Sequence, residues 1–317
     1  MRLLFACLLF ASCSQDSVFP DTNAVEIHLS GDISGLSAST LTRGVIDKDY
    51  TQTLNVCFAR LDQNGDGSYP AYTTVSAPLA ATRAGGPGQT IIGFTKAQYY
   101  LTRQDNNNTK LLGWYPAGSY DQANATVTFN VSSGTTDVML TQEVTANKVD
   151  QFGASGRTFT FSHLLTRVSV KAFGDASAKD TWGAIQSVKV KGQPTSCVLA
   201  LADRSTTWSG SADLVLKNPT GDAAMGNVSL EGKTASNNTA SCGYAMFKPT
   251  AGNSLTLIVT TEKGGSRDVV VTLPGDASSS YASGTAYIVT LEFKSTIISP
   301  SAGITAWGTG SDVNADL

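Results

Sequence analysis

Val25-Glu26-Ile27-His28-Leu29 alternates strictly, with Val25, Ile27 and Leu29 on one face and Glu26 and His28 on the other. A period of two marks a strand with one face buried and one face wet. Reading outward from it, similar segments recur. They are Leu54-Asn55-Val56-Cys57-Phe58-Ala59-Arg60-Leu61, the strand ended by Leu111-Leu112-Gly113-Trp114-Tyr115-Pro116, and 125–131 with Val127, Phe129 and Val131 on one face. Phe159-Thr160-Phe161-Ser162-His163 leads into Val168-Ser169-Val170-Lys171-Ala172-Phe173, and 185–191 follows. Further strand candidates are 197–201, 213–216, 227–230, 242–247, 254–261, 268–273 and 286–293. Gly, Asn, Asp or Pro separates nearly all of them, which predicts an all-β sandwich or barrel architecture. Residues 30–44 and 78–90 read as loops, 175–184 as the place for a short helix, and Trp182 and Trp208 as core or core-edge anchors.

Upstream of the first strand, MRLLFACLLFASC has a basic residue, an apolar run and small residues before Cys13, the pattern of an export leader too short to span a bilayer. Ala11 and Ser12 before Cys13 resemble a bacterial lipobox, which predicts a signal peptide at 1–12 and lipidation of Cys13. Polar residues 14–24 then form a tether. Downstream of the first strand, Leu41-Thr42-Arg43-Gly44 sets an arginine in a small polar loop, an accessible tryptic site.

The 317 residues suffice for about two domains. A polar, Gly-containing stretch at 146–156 puts the expected boundary between 155 and 156. Only 15% of residues are charged, so the surface is made polar by hydroxyls and amides rather than ion pairs. A net charge of −3 without any Lys/Arg-rich stretch excludes an electrostatic footprint for nucleic acid.

Chemistry is sparse. The two histidines, His28 and His163, lie in no metal-binding or triad pattern. His163 is expected at a strand start, satisfied by a backbone carbonyl. No nucleophile elbow or phosphate loop occurs. Asp62-x-Asn64-x-Asp66-Gly67 matches the opening of a calcium loop, but the twelfth position is Thr73, and a hairpin tip is the competing reading. Cys57, Cys197 and Cys242 read as small buried side chains, with a Cys197–Cys242 bridge as the alternative allowed by spacing. Trp114, Tyr115 and Tyr120 read as core, or as a glycan platform. No cofactor and no enzymatic activity is expected.

Phe159-x-Phe161-x-His163 followed by Val168-x-Val170, the Trp114-Tyr115-Pro116 strand end and the tail Ile304-Thr305-Ala306-Trp307-Gly308 together resemble the Bacteroidetes fimbrillin family of fimbrial subunits. That resemblance covers the whole chain and implies two tandem transthyretin-like β-sandwich domains, at 44–155 and 156–317, the first completed by a strand from 25–30. It also implies an outer-membrane lipoprotein precursor whose lipidated propeptide, 13–43, is cut off between Arg43 and Gly44 by an arginine-specific or trypsin-like protease. The displaced strand would carry Val25, Ile27 and Leu29. Such a loss leaves an apolar groove and unpaired backbone, which a strand from another subunit can refill. The tail 297–317 is the candidate donor, through Ile298, Ala302, Ile304, Ala306 and Trp307. Implied partners are copies of itself, other fimbrial subunits, the processing protease and a host or bacterial surface ligand, with the mature form in the fimbrium. The alternative is a monomeric lipid-anchored surface adhesin or glycan-binding protein.

Overall fold

A computed structural model describes residues 23–35, 46–102, 107–175, 177–219, 223–235, 239–249, 252–274 and 283–305. Cys13, Arg43, Gly44, Ala306 and Trp307 lie outside the described residues. The described chain is all-β apart from one short helix and a single 3-10 turn at Tyr72–Thr74. Its elements are β1 (Leu29–Ile33), β2 (Leu54–Asp62), β3 (Leu79–Arg83), β4 (Thr90–Phe94), β5 (Thr109–Tyr115), β6 (Ser119–Asp121), β7 (Thr126–Asn130), β8 (Met139–Leu140), β9 (Val144–Ala146), β10 (Phe159–His163) and β11 (Thr166–Gly174). After α1 (Ala178–Trp182) come β12 (Ile185–Gln193), β13 (Ser196–Ala200), β14 (Thr206–Ser209), β15 (Ala212–Val215), β16 (Ala240–Phe247), β17 (Ser254–Thr261), β18 (Gly265–Thr272), β19 (Ala286–Phe293) and β20 (Ile298–Thr305).

The first sheet runs β2-β3-β4-β1-β10-β8-β5, and β5 pairs back onto β2, so the wall closes on itself. Closure removes the free edges that an open sheet would expose. Inside the ring, Phe58 meets Phe159 and Phe161 edge-on at centroid distances of 5.1 and 6.3 Å. Gly113 makes room for it, since a Cβ there would sit 2.6 Å from the Phe58 ring. Outside the ring, Cys57, Ala59, Leu61, Leu112 and Trp114 pack under a second sheet, β14-β13-β7-β6, against Val127, Phe129, Cys197 and Leu199. β2 is thus buried on both faces, which is why its sequence is a nearly continuous apolar run.

A third apolar cluster fills the space between β16-β11-β19-β20 and β15-β12-β17-β18. Trp182 of α1 caps it, 3% exposed, with its indole N–H donating to Lys294 O at 2.6 Å.

Several expectations change. The first ladder begins at Leu29 and runs to Ile33, through residues read as loop, because Gly31 is paired with both β4 and β10 and Asp32 and Ile33 continue the pairing with β10. Residues 79–83 form β3 although Pro78 and the nearby glycines suggested a loop, and 227–230 contributes only an isolated bridge from Val228 to Ile185. A clean boundary at 155/156 does not match the pairing. β10 closes the first ring, and the β13–β14 hairpin pairs through β13 with β7, covering Val127 and Phe129. The three cysteines are buried free thiols, not bridged. The short helix falls where 175–184 predicted it.

Candidate functional site: the wall strand β1 and its surroundings

β1 is an interior strand. It runs antiparallel to β4, with Leu29 opposite Ile92 and Ser30 opposite Ile91, and parallel to β10, with Gly31 beside Phe159 and Ile33 beside Phe161. Ile27, Leu29 and Ile33 are 3%, 2% and 2% exposed and point into the ring. Burying each such side chain stabilises by about 1.5–3 kcal/mol. Val25 is half-buried against the same cluster. Ahead of the ladder, Ile27 N–H donates to Gln98 O at 2.7 Å and Tyr100 N–H to Val25 O at 3.0 Å.

Gly31 sits where the wall is tightest. A Cβ there would lie 2.5 Å from Phe159 O and 2.8 Å from Ile92 Cδ1. Its glycine requirement is one of space, since the nearest obstacle is backbone.

The strand leaves the wall over a buried polar cluster. Ser34 N–H donates to Phe161 O at 2.9 Å, and His163 Nε2 lies 3.2 Å from Ser34 O. His163 Nδ1 faces Asp137, 2.8 Å from Oδ2, with side-chain exposures of 1% and 2%. Beside them Arg167 is fully buried, its guanidinium 5.3 Å from the centre of the Tyr244 ring. Burial brings its pKa down to about 10 against the pull of Tyr244, Asp137 and Asp47. Ser34 and Asp47 flank the segment that contains Arg43, so both of its ends reach this cluster. A second buried arginine, Arg83, donates to Gly88 O at 2.7 Å and Ala84 O at 3.0 Å, and faces Asp32 of β1 electrostatically.

This arrangement is not a nucleophile–histidine–carboxylate triad. A triad needs a nucleophile on the histidine nitrogen remote from the carboxylate. In His163 that nitrogen meets a backbone carbonyl, as the sequence predicted, although the residue ends β10 rather than starting a strand, and its carboxylate partner Asp137 was not foreseen. The calcium-loop residues do not converge. Asp62 pairs with Arg60 at 3.0 Å and accepts from Thr109, whereas Asn64 and Asp66 both bond Ser68 in a tight turn. Among the described residues no group of three His, Cys, Asp or Glu side chains could hold a metal. The glycan-platform alternative loses its centre, because Trp114 is wholly buried and the Tyr120 hydroxyl donates to Val75 O at 2.7 Å.

At the other end of the chain, β20 pairs along its full length with β19, from Phe293 opposite Ile298 to Ala286 opposite Thr305. Ile298 is buried and Ala302 packs on the same core, but Ile304 is 60% exposed. Of the predicted donor residues that are described, Ile298 and Ala302 are thus anchored on this core, whereas Ile304 is paired with Tyr287 but leaves its side chain exposed.

The sequence matches the family described as fimbrillin-like over residues 73–307. No curated protein matches the chain. Among solved structures, a candidate cell adhesion protein from Bacteroides uniformis superposes with a TM-score of 0.60 at 16% identity, covering 89% of this chain and 98% of that one. Another from Bacteroides ovatus gives 0.51 at 11% identity, over 92% and 99% of the two chains. At these identities the likeness establishes a shared fold.

Proposed function

Because the chain belongs to the fimbrillin-like family, we propose that it is a structural rather than catalytic fimbrial subunit that assembles by protease-triggered strand exchange and contributes to adhesion at the cell surface. Membership of that family supports its assembly with other fimbrial subunits in a cell-surface fimbrium. In this reading the precursor is exported by residues 1–12, lipidated at Cys13 and held at the outer membrane. An arginine-specific or trypsin-like protease cuts after Arg43 and releases 13–43, taking Val25, Ile27, Leu29 and the rest of β1.

The observation that carries this reading is the place of β1. It is a central wall strand, and the chain that continues from it holds the predicted cut site. Removing it leaves β4 and β10 with unpaired backbone and an apolar trough, which a strand from another subunit refills by β-augmentation. Head-to-tail exchange is heterologous and therefore builds an open filament.

Two tandem transthyretin-like units, drawn from 44–155 and 156–317, fit the pairing pattern in one respect. β1 lies between an antiparallel and a parallel neighbour, and β11 does the same between β16 and β19. The second unit lends β10 and the β13–β14 hairpin to the first across the 155/156 boundary.

Limited trypsin treatment of the protein, read by intact mass and native gel, tests the reading. The expected result is a cut after Arg43 followed by a ladder of stable multimers, abolished by deleting 306–317, which leaves β20 in place. A clean cut that yields monomers alone would instead favour the monomeric surface adhesin.

A further inference from the structure

The groove left by β1 specifies its occupant more narrowly than "an apolar strand", and the inference rests on the strand-exchange reading above. Whatever replaces β1 in the same wall must present a residue without a Cβ beside Phe159, because a Cβ at Gly31 would lie 2.5 Å from a backbone oxygen. Two positions before that glycine the wall holds Leu29, and four before it Ile27.

The tail of the chain reads Ile304-Thr305-Ala306-Trp307-Gly308-Thr309-Gly310. Gly308 shares its parity with Ile304, Ala306 and the anchored Ile298. Placed in the groove in the direction of β1, with Gly308 at the position of Gly31, the tail puts Ile304 where Ile27 was and Ala306 where Leu29 was. Trp307 then replaces Ser30, and so stands opposite Ile91. Ile91 is the most exposed of the large apolar side chains described, at 73%, and its present cross-strand neighbour is a serine. A tryptophan there makes an aromatic–β-branched cross-strand pair, a favoured combination. Other registers do worse. Gly303 in the key position brings Ser301 and Thr305 inward, and Gly310 brings Gly308 and Asp312. Reversing the strand with Gly308 at the key brings Gly310 to the Leu29 site.

We propose that the groove takes residues 304–310 of a second copy of this chain, parallel to β10, with Gly308 beside Phe159 and Trp307 opposite Ile91. Ile304 supplies a further match, because it is already 60% exposed in its own sheet and gives up little to leave it. The donor has only to release its pairing at Thr305 and Ile304 from Ala286 and Tyr287, while Ile298 stays buried. Ala306 and Gly310 fill less of the ring than Leu29 and Ile33, so the register is set by Ile304, Trp307 and Gly308.

The test uses full-length precursor cut with trypsin. Gly308→Val should reduce the multimer ladder at least tenfold, since a branched side chain meets Phe159 O, whereas Gly310→Val should leave it within twofold of the unsubstituted chain. A mixture of Ile91→Cys and Trp307→Cys chains should give intermolecular disulfides after cleavage, and a mixture of Ile91→Cys and Thr309→Cys chains should not. Equal assembly of the two glycine variants, or a cross-link through residue 309 instead of 307, would overturn this register while leaving strand exchange standing. If the unsubstituted cut chain forms no multimers, strand exchange itself fails and this proposal falls with it.

Discussion

Replacing Asp137 with asparagine removes one charge from a place where two basic side chains rely on it. The carboxylate is 2% exposed and lies 2.8 Å from His163 Nδ1. It also offsets part of the burial cost of Arg167, which is wholly enclosed and whose other nearby carboxylate is Asp47. Breaking a buried pair from one side costs about 3–5 kcal/mol, because the partner charge is left in low dielectric. Losing a neutral hydrogen bond costs about 1 kcal/mol. Asp137→Asn should therefore destabilise the protein by about 3–5 kcal/mol. His163→Gln, which leaves Asp137 facing Arg167, should cost about 1–3 kcal/mol. Urea unfolding with an unchanged m-value measures both. Hydrogen exchange at Ser34, whose N–H bonds Phe161 O, should accelerate in each variant because the clamp on the end of β1 is loosened. An Asp137→Asn cost below about 1 kcal/mol, or one smaller than that of His163→Gln, would refute the view that this carboxylate holds the cluster together.

Gly31→Ala forces a Cβ against Phe159 O and should cost about 1–3 kcal/mol in urea unfolding, although alanine is ordinarily harmless in a strand. Trp182→Ala removes the cap of the third apolar cluster and its bond to Lys294 O, so a loss of about 3–5 kcal/mol is expected by the same measurement. Burial pushes the Cys197 and Cys242 thiols from an ordinary 9.0 up to about 12, and Cys57 upward as well. The native protein should therefore resist iodoacetamide at pH 8 at all three positions and react fully in denaturant. An acid whose folded pKa is raised keeps its proton in the folded state while the unfolded state loses it, so these thiols should make stability fall as pH rises from 9 towards 12. A stability that is flat over that range would contradict their burial.

Strands were legible wherever burial on one face imposed a period of two, as at Ile27, Leu29 and the Phe159-x-Phe161 pair. Their limits were not. Gly31 and Asp32 look like turn residues, and only the closeness of Phe159 explains a glycine inside a ladder. β3 was hidden because Ala80 and Thr82 face solvent and Arg83 turns a guanidinium onto carbonyls, leaving little apolar signal. The β13–β14 hairpin was recognisable in part as a strand, but its partner β7 lies some seventy residues upstream, and pairing at that distance leaves no local trace. At the site, His163 was correctly matched to a carbonyl. Asp137 was missed because a lone aspartate among Thr and Gly reads as a turn. An arginine at 167 beside Leu165 and Val168 was the available clue, since a cation inside an apolar run requires an anion somewhere.

The hairpin lent by one half of the chain to the other has a mechanical consequence. In a filament built by the proposed exchange, load enters a subunit through the strand held at the first ring and leaves through the tail beyond β20. Tension then runs through both halves in series. They cannot separate at a peptide linker alone, because β13 is paired with β7 from Ser196 opposite Asn130 to Ala200 opposite Thr126. Tyr244, Met246 and Ala286 lie in the same apolar cluster as that seam. A pulled subunit must shed this pairing and expose that cluster before it can lengthen, so the lent hairpin works as a stitch that keeps a surface fibre from yielding at its middle.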